Sequence, residues 1–194
     1  MNGLSKNKET HLVSGRECGE CTACCVFLSI KDQNLNKPAD QACSHMIEKG
    51  GCSIYSERPS VCQNWHCAWR FMEQLGDEWR PDRSGILLRP AEKGIIFQPI
   101  SEPKEVLTRE RALELIGGGI EQGIPLFMSI PTRKGFRSYR MPLNEHLDIV
   151  VRSRHFPSIQ TKMLELIEFS SAQITDPITP AYNRTNLIIR CDSK

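Results

Sequence analysis

Beyond residue 84 the apolar positions fall into short runs of two periods. SGILLRP (84–90) and KGIIFQPI (93–100) are β-rich and bounded by glycine and proline, so they predict a hairpin that turns across AEKG. TRERALELIGGGIEQG (108–123) opens on an N-cap candidate, Thr108, and repeats apolar residues at Ala112, Leu115, Ile116 and Ile120, the spacing of an amphipathic helix. IPLFMSIP (124–131) and GFRSYRMP (135–142) predict two further strands. NEHLDIVVRSRHF (144–156) and PSIQTKMLELIEFSSAQ (157–173) predict two helices separated at Pro157, and NLIIRC (186–191) a terminal strand or extended tail.

The first third of the chain has no such rhythm. Between residues 18 and 75 the apolar positions are sparse (Val26, Phe27, Leu28, Ile30, Met46, Ile47, Ile54, Tyr55, Val61 and Trp65) and are interrupted by the polar loop KDQNLNKPADQ. A unit of this size with so few apolar side chains rarely folds unaided. The pattern therefore predicts an α+β protein in one globular body: a flexible tail (1–17), a small cysteine-rich, metal-stabilised module (18–75), and a short-stranded antiparallel sheet with two to four helices (76–194) on which the module packs. No internal repeat, heptad run or low-complexity block is present.

Composition narrows the function. With 25 Lys and Arg against 23 Asp and Glu, the net charge of +2 gives no global field toward nucleic acid or an anionic membrane, so a nucleic-acid partner is disfavoured. The polar N-terminus has no signal-like apolar core and no later run approaches a bilayer span, which predicts a cytoplasmic protein without a membrane. In that reducing compartment the nine cysteines should remain thiols unless a metal holds them.

Eight of the nine crowd into residues 18–67: Cys18, Cys21, Cys24, Cys25, Cys43, Cys52, Cys62 and Cys67; only Cys191 stands apart, where a buried thiol without chemistry is the simpler reading. Thiolate is a soft ligand that selects zinc, copper(I) or iron–sulfur clusters, and two residues between cysteines let one turn aim successive sulfurs at a common centre. The energy suffices, because structural zinc contributes roughly 10–16 kcal/mol, comparable with the whole net stability of a domain, about 5–15 kcal/mol. In CGECTACC (18–25), a helical turn would put Cys21, Cys24 and Cys25 on one face and let the doublet join one site, whereas extended backbone would divide it. Pro59 suits the start of a helix with Val61, Trp65 and Trp69 as its stripe and Cys62 beside His66. Cys67 would lie about 140° round that helix from Cys62. Either the helix ends before Cys67, or the two cysteines serve different centres, or His66 replaces one of them.

These residues resemble the bacterial CxxCxxCC proteins of YkgJ type, a zinc- or iron-chelating domain family related to the cysteine-rich part of flagellin lysine methylases. The likeness covers residues 18–69: Cys18, Cys21, Cys24 and Cys25, then Cys43, Gly51-Cys52-x-Ile54-Tyr55, Arg58-Pro59, Cys62 and Cys67. The family's Arg after the cysteine at position 62 is Gln63 here, while the aromatic Trp65 is kept. The resemblance implies a metal or iron–sulfur module with no assigned reaction.

Eight thiols match two four-cysteine zinc sites; the repeated Cys-x-x-Cys with a remote cysteine equally matches a four-iron cluster. His45 and His66 stand beside cysteines, but eight thiols already suffice, and His11, His146 and His155 carry no motif. Gly117-Gly118-Gly119 lacks the Lys-Ser/Thr of a phosphate loop and reads as a flexible or close-packed helix end. Arg133, Lys134, Arg137 and Arg140 around Phe136 and Tyr139 fit a solvated strand better than a nucleic-acid surface. Chelation is the leading expectation. The alternatives are a cluster-dependent redox or protein-modifying enzyme, methylase-like by resemblance but without a glycine-rich cofactor loop, and a zinc adaptor for a protein or nucleic-acid partner.

Overall fold

The structure, a computed structural model, describes residues 11–33 and 35–178. NLIIRC and Cys191 lie outside that range. The cysteine-rich part holds only short elements: α1 (Ala23–Phe27), a two-stranded clasp of β1 (Ile30–Lys31) and β2 (Asn36–Lys37), and α2 (Ser60–Asn64). Single 3-10 turns at Tyr55–Glu57, Ala68–Arg70 and Asp77–Trp79 continue the chain. This part is tied down ahead of the cysteines, since Val13 N–H donates to the Arg70 carbonyl at 2.9 Å.

The second part is the α+β body. It runs α3 (Pro81–Ser84), β3 (Ile86–Ala91), β4 (Gly94–Pro99), α4 (Pro103–Val106), α5 (Glu110–Glu121), β5 (Leu126–Ile130), β6 (Tyr139–Pro142), α6 (Asn144–Arg152) and α7 (Phe156–Ser171). The four long strands form one sheet in the order β3-β4-β5-β6. The predicted hairpin is β3 and β4, with Ala91 opposite Gly94. The outer pairings are antiparallel, but β4 and β5 run parallel, so the sheet is mixed rather than purely antiparallel. Parallel neighbours need a crossover, and α4 with α5 supplies it. Gly94 makes that parallel pairing sterically feasible: its φ is +141° and a Cβ there would stand 1.8 Å from the Pro125 carbonyl oxygen, beside the Ile95 N–H bond to the same carbonyl.

Two local expectations change. Thr108 does not cap α5; its hydroxyl bonds back to the Lys104 carbonyl at the end of α4, and Arg109 occupies the N-cap. The buried face of α5 is Ala112, Leu113, Ile116 and Ile120, with Leu115 only half-buried, because Gly117 and Gly119 let the helix sit close to its neighbours. A Cβ on Gly119 would come 2.8 Å from Leu126 Cδ1, so the glycine run is a packing surface inside the helix.

Three successive residues of β3, Ile86, Leu87 and Leu88, are buried, which means both sheet faces are covered there. The Ala68–Arg70 turn and α3 pack against β3, while α5 and α7 pack against β5. Ala23, Leu28, Ile30, Cys67, Ala68 and Trp69 belong to the same hydrophobic cluster as Phe97, Met128 and Met163. The thiols are thus carried on the edge of a common core.

Candidate metal centre

The first knuckle is a turn in which Cys21 N–H donates to the Cys18 carbonyl at 2.9 Å. Ala23, buried at the start of α1, and Leu28 and Ile30 beyond it anchor this segment in the core, which aims Cys24 and Cys25 from one short helix. A second knuckle spans 43–53. Cys43 N–H donates to the Cys25 carbonyl at 3.0 Å, and Met46 pairs with Cys52 in an isolated antiparallel bridge. The α2 helix ends at Asn64 because Trp65 turns extended (ψ 132°). Cys62 therefore lies within α2 while Cys67, also extended, stands outside it as the N-cap of the Ala68–Arg70 turn. The predicted stripe of Val61, Trp65 and Trp69 meets the core without one continuous helix, and the expected helical adjacency of Cys62 and His66 is absent.

All eight thiols are free and converge on two adjoining cavities. The larger is lined by Cys18, Cys21, Cys24, Cys25, Cys43, Cys52 and Cys62; the other by Cys18, Cys21, Cys24, Cys62 and Cys67. Among the described residues no group of three His, Cys, Asp or Glu side chains is already set to hold a metal ion. Each sulfur moves within its cavity about a single bond, χ1.

Mutual electrostatics sort the thiols. Burial first, then the neighbouring Cys25, Cys43 and Cys52, push Cys62 up to about 11. Burial, opposed by hydrogen bonds from the main chain at Arg70 and Trp69 and reinforced by Cys18 and Cys21, pushes Cys67 up to about 12. Cys24 is raised by its hydrogen bond to Cys25, then by burial, then by the charges of Cys25, Cys18 and Cys21. Cys25 is the exception: the bond from Cys24 brings it down to about 7, against burial and with help from Lys37 and Arg58. Cys18, Cys21, Cys24 and Cys67 are thus one neighbourhood, and Cys25, Cys43, Cys52 and Cys62 the other. The helical doublet hydrogen-bonds to itself and borders both neighbourhoods, the alternative that spacing had left open.

Polar side chains surround the thiols, and of these the sequence did not flag Arg70, Arg80 and Asp82. Tyr55 hydrogen-bonds Cys18 and carries the Arg58 guanidinium 3.7 Å over its ring. Asp82, on α3, bonds Cys21 and is gripped by Arg80 through two contacts of 2.7 Å, linking the module to the body. Trp69 Nε1 and Arg70 Nε and Nη1 are buried donors without a hydrogen-bond partner, and both residues line the smaller cavity. His45 lines the larger cavity and His66 the smaller, where burial, Arg70 and Arg58 lower its pKa. Of the basic run, Arg133 lies 3.4 Å over the Phe136 ring and Arg140 4.1 Å over Phe127, cations engaged with local aromatics. No helix among the described residues is long and apolar enough to cross a membrane. No family model, curated protein or solved structure matches the chain.

Proposed function

We propose that residues 18–67 chelate two inorganic centres, zinc or iron–sulfur, through thiolates: Cys18, Cys21, Cys24 and Cys67 at one, Cys25, Cys43, Cys52 and Cys62 at the other. The observation that carries this reading is the convergence of eight free thiols on two adjoining cavities, with Cys67 beside Cys18 and Cys21 and Cys62 beside Cys25, Cys43 and Cys52. Four is the number that closes a tetrahedral zinc site or corners a four-iron cluster. The donor chemistry fits as well. A set of four thiolates carries surplus negative charge, and the partnerless N–H donors of Trp69 and Arg70 stand beside the smaller cavity where such charge would gather. A bound metal would supply the cross-links that this sparsely apolar part lacks; the chain's own residues hold the sulfurs in place and neutralise them.

The same constellation likens the chain to the YkgJ-type proteins, and membership in that family is part of the proposal. So is a cytoplasmic location, because reduced thiols persist there. The structure carries no reaction to assign, and the methylase-like and adaptor readings gain no specific observation.

Metal and acid-labile sulfide analysis of protein purified without oxygen, with a visible spectrum, tests the proposal. Two bound zinc ions in a colourless protein, or iron with sulfide in a brown one, support it and choose between the two. Protein that holds no metal and unfolds identically with and without chelator removes it.

A further inference from the structure

Two cations in the cysteine-rich part direct their side chains at main-chain carbonyls. Lys37, 4% exposed, places Nζ 2.9 Å from the Val26 carbonyl, 2.8 Å from that of Pro38 and 2.7 Å from that of Gln41. An ammonium has three protons, so these three acceptors fill it. Arg16 extends its guanidinium over the Trp69 ring, 5.5 Å from the centroid. It donates to the carbonyls of Met72 at 2.9 Å and Glu73 at 3.2 Å, and to those of Trp69 and Leu75.

The segments these cations join carry the thiols. Val26 follows Cys25, and Gln41 precedes Cys43 by two residues. Lys37 therefore ties together the two stretches whose main chains also meet at the Cys43 to Cys25 bond. Arg16 precedes Cys18 by two residues and Trp69 follows Cys67 by two, so Arg16 joins the two ends of the other set of four. Lys37 thereby leaves a positive charge beside Cys25 and Cys43, and Arg16 closes a loop of more than fifty residues.

We propose that Arg16 and Lys37 are positioning residues, each for one centre: Arg16 for Cys18, Cys21, Cys24 and Cys67, and Lys37 for Cys25, Cys43, Cys52 and Cys62. This rests on the two-centre reading above. The logic is that of an outer shell around a metal site, where groups that touch the ligands' backbone rather than the metal fix ligand geometry before binding. The division of labour is the specific claim, because a cation that merely stabilised the fold would affect both centres alike.

Zinc(II) uptake by the full chain, followed by competition with a chromophoric chelator, separates these outcomes when single-centre backgrounds are used. Cys21→Ser leaves the second centre to be measured and Cys62→Ser the first. Lys37→Met should weaken zinc binding about tenfold or more in the Cys21→Ser background and leave the Cys62→Ser background nearly unchanged, with Arg16→Met giving the reverse. Arg16→Lys, which keeps the charge, should recover part of the loss; it and Lys37→Gln serve as milder variants if the methionine forms do not fold. Equal weakening of both backgrounds, or none in either, overturns the assignment of Arg16 and Lys37 while the chelation reading stands. A wild-type chain that takes up no zinc at either thiol set overturns this assignment, and the two-centre reading falls with it when the protein purified without oxygen also holds neither iron nor sulfide.

Discussion

The stretch from 18 to 75 and the body from 76 to 178 share one hydrophobic cluster but are held by different forces. The body has a four-stranded sheet and three helices of nine or more residues, with Phe97, Met128, Leu147 and Met163 almost wholly buried. Its apolar periodicity specifies the strands and long helices, though not the order in which the strands pair. The cysteine-rich stretch has no helix longer than five residues, exposes Ile47 and Tyr55, and fills its interior with thiols, a buried lysine and main-chain carbonyls. Polar groups there need partners, and where the apolar area is small their pairing decides the conformation. One chain thus builds half of a globule on the hydrophobic effect and secures the other half with hydrogen bonds from cations to main-chain carbonyls.

The largest expected effect attacks the second half alone. Stripping metal with a chelator should remove stabilisation on the scale of structural zinc, about 10–16 kcal/mol per site, and expose residues 18–67 to protease while 86–171 stays protected. Simultaneous loss of protection in both regions would break the distinction. Phe97→Ala is the converse experiment. It should cost about 3–5 kcal/mol in unfolding free energy and leave metal stoichiometry unchanged.

Proton linkage gives a third test. In metal-free protein, burial first and neighbouring thiols next hold Cys62 near 11 and Cys67 near 12, above the ordinary 9.0 of the unfolded chain. The folded state therefore keeps protons that the unfolded state releases. The stabilisation is complete below pH 9.0 and is lost as pH climbs through those raised values. The unfolding free energy from denaturation curves should fall with alkali by up to about 1.4 kcal/mol per proton per pH unit, and the slope should vanish once metal has displaced the protons.

Gly94→Ala should destabilise by more than ~1 kcal/mol through the Pro125 carbonyl without touching thiol reactivity, as a denaturation curve and a thiol titration together would show. Smallest is Lys104→Ala, which removes a half-exposed ion pair with Glu168 and should change stability by no more than about 1 kcal/mol.

How far the sequence was legible follows the same division. The hairpin at 86–99, the α5 pattern, the strands at 126–130 and 139–142 and the last two helices were visible in periodicity, because each depends on neighbours a few residues away, but the helices separate at 153–155 and Pro157 sits in the first turn of α7. The parallel β4–β5 pairing was not, since it depends on where α4 and α5 return the chain. Around the thiols, the eight cysteines stood out by number and spacing. Lys37 did not, because it sits in a polar loop with no apolar pattern to mark it as buried. Arg16 lay in a stretch read as a flexible tail, and its partners are carbonyls more than fifty residues away.

By itself the sequence determined the number and concentration of thiols, eight within residues 18–67, and the alternation that makes a sheet and amphipathic helices of the remainder. Tertiary structure decided which thiol neighbours which. Spacing left open whether Cys24 and Cys25 share a site; in the fold they hydrogen-bond each other from one short helix, with Cys18 and Cys21 also near Cys24, while the main chain at Cys25 meets the returning chain at Cys43. Spacing fixes only what one turn can aim. The partners of a thiol are set by loops that close over tens of residues, and those closures are held by Arg16, Lys37 and the core beneath them.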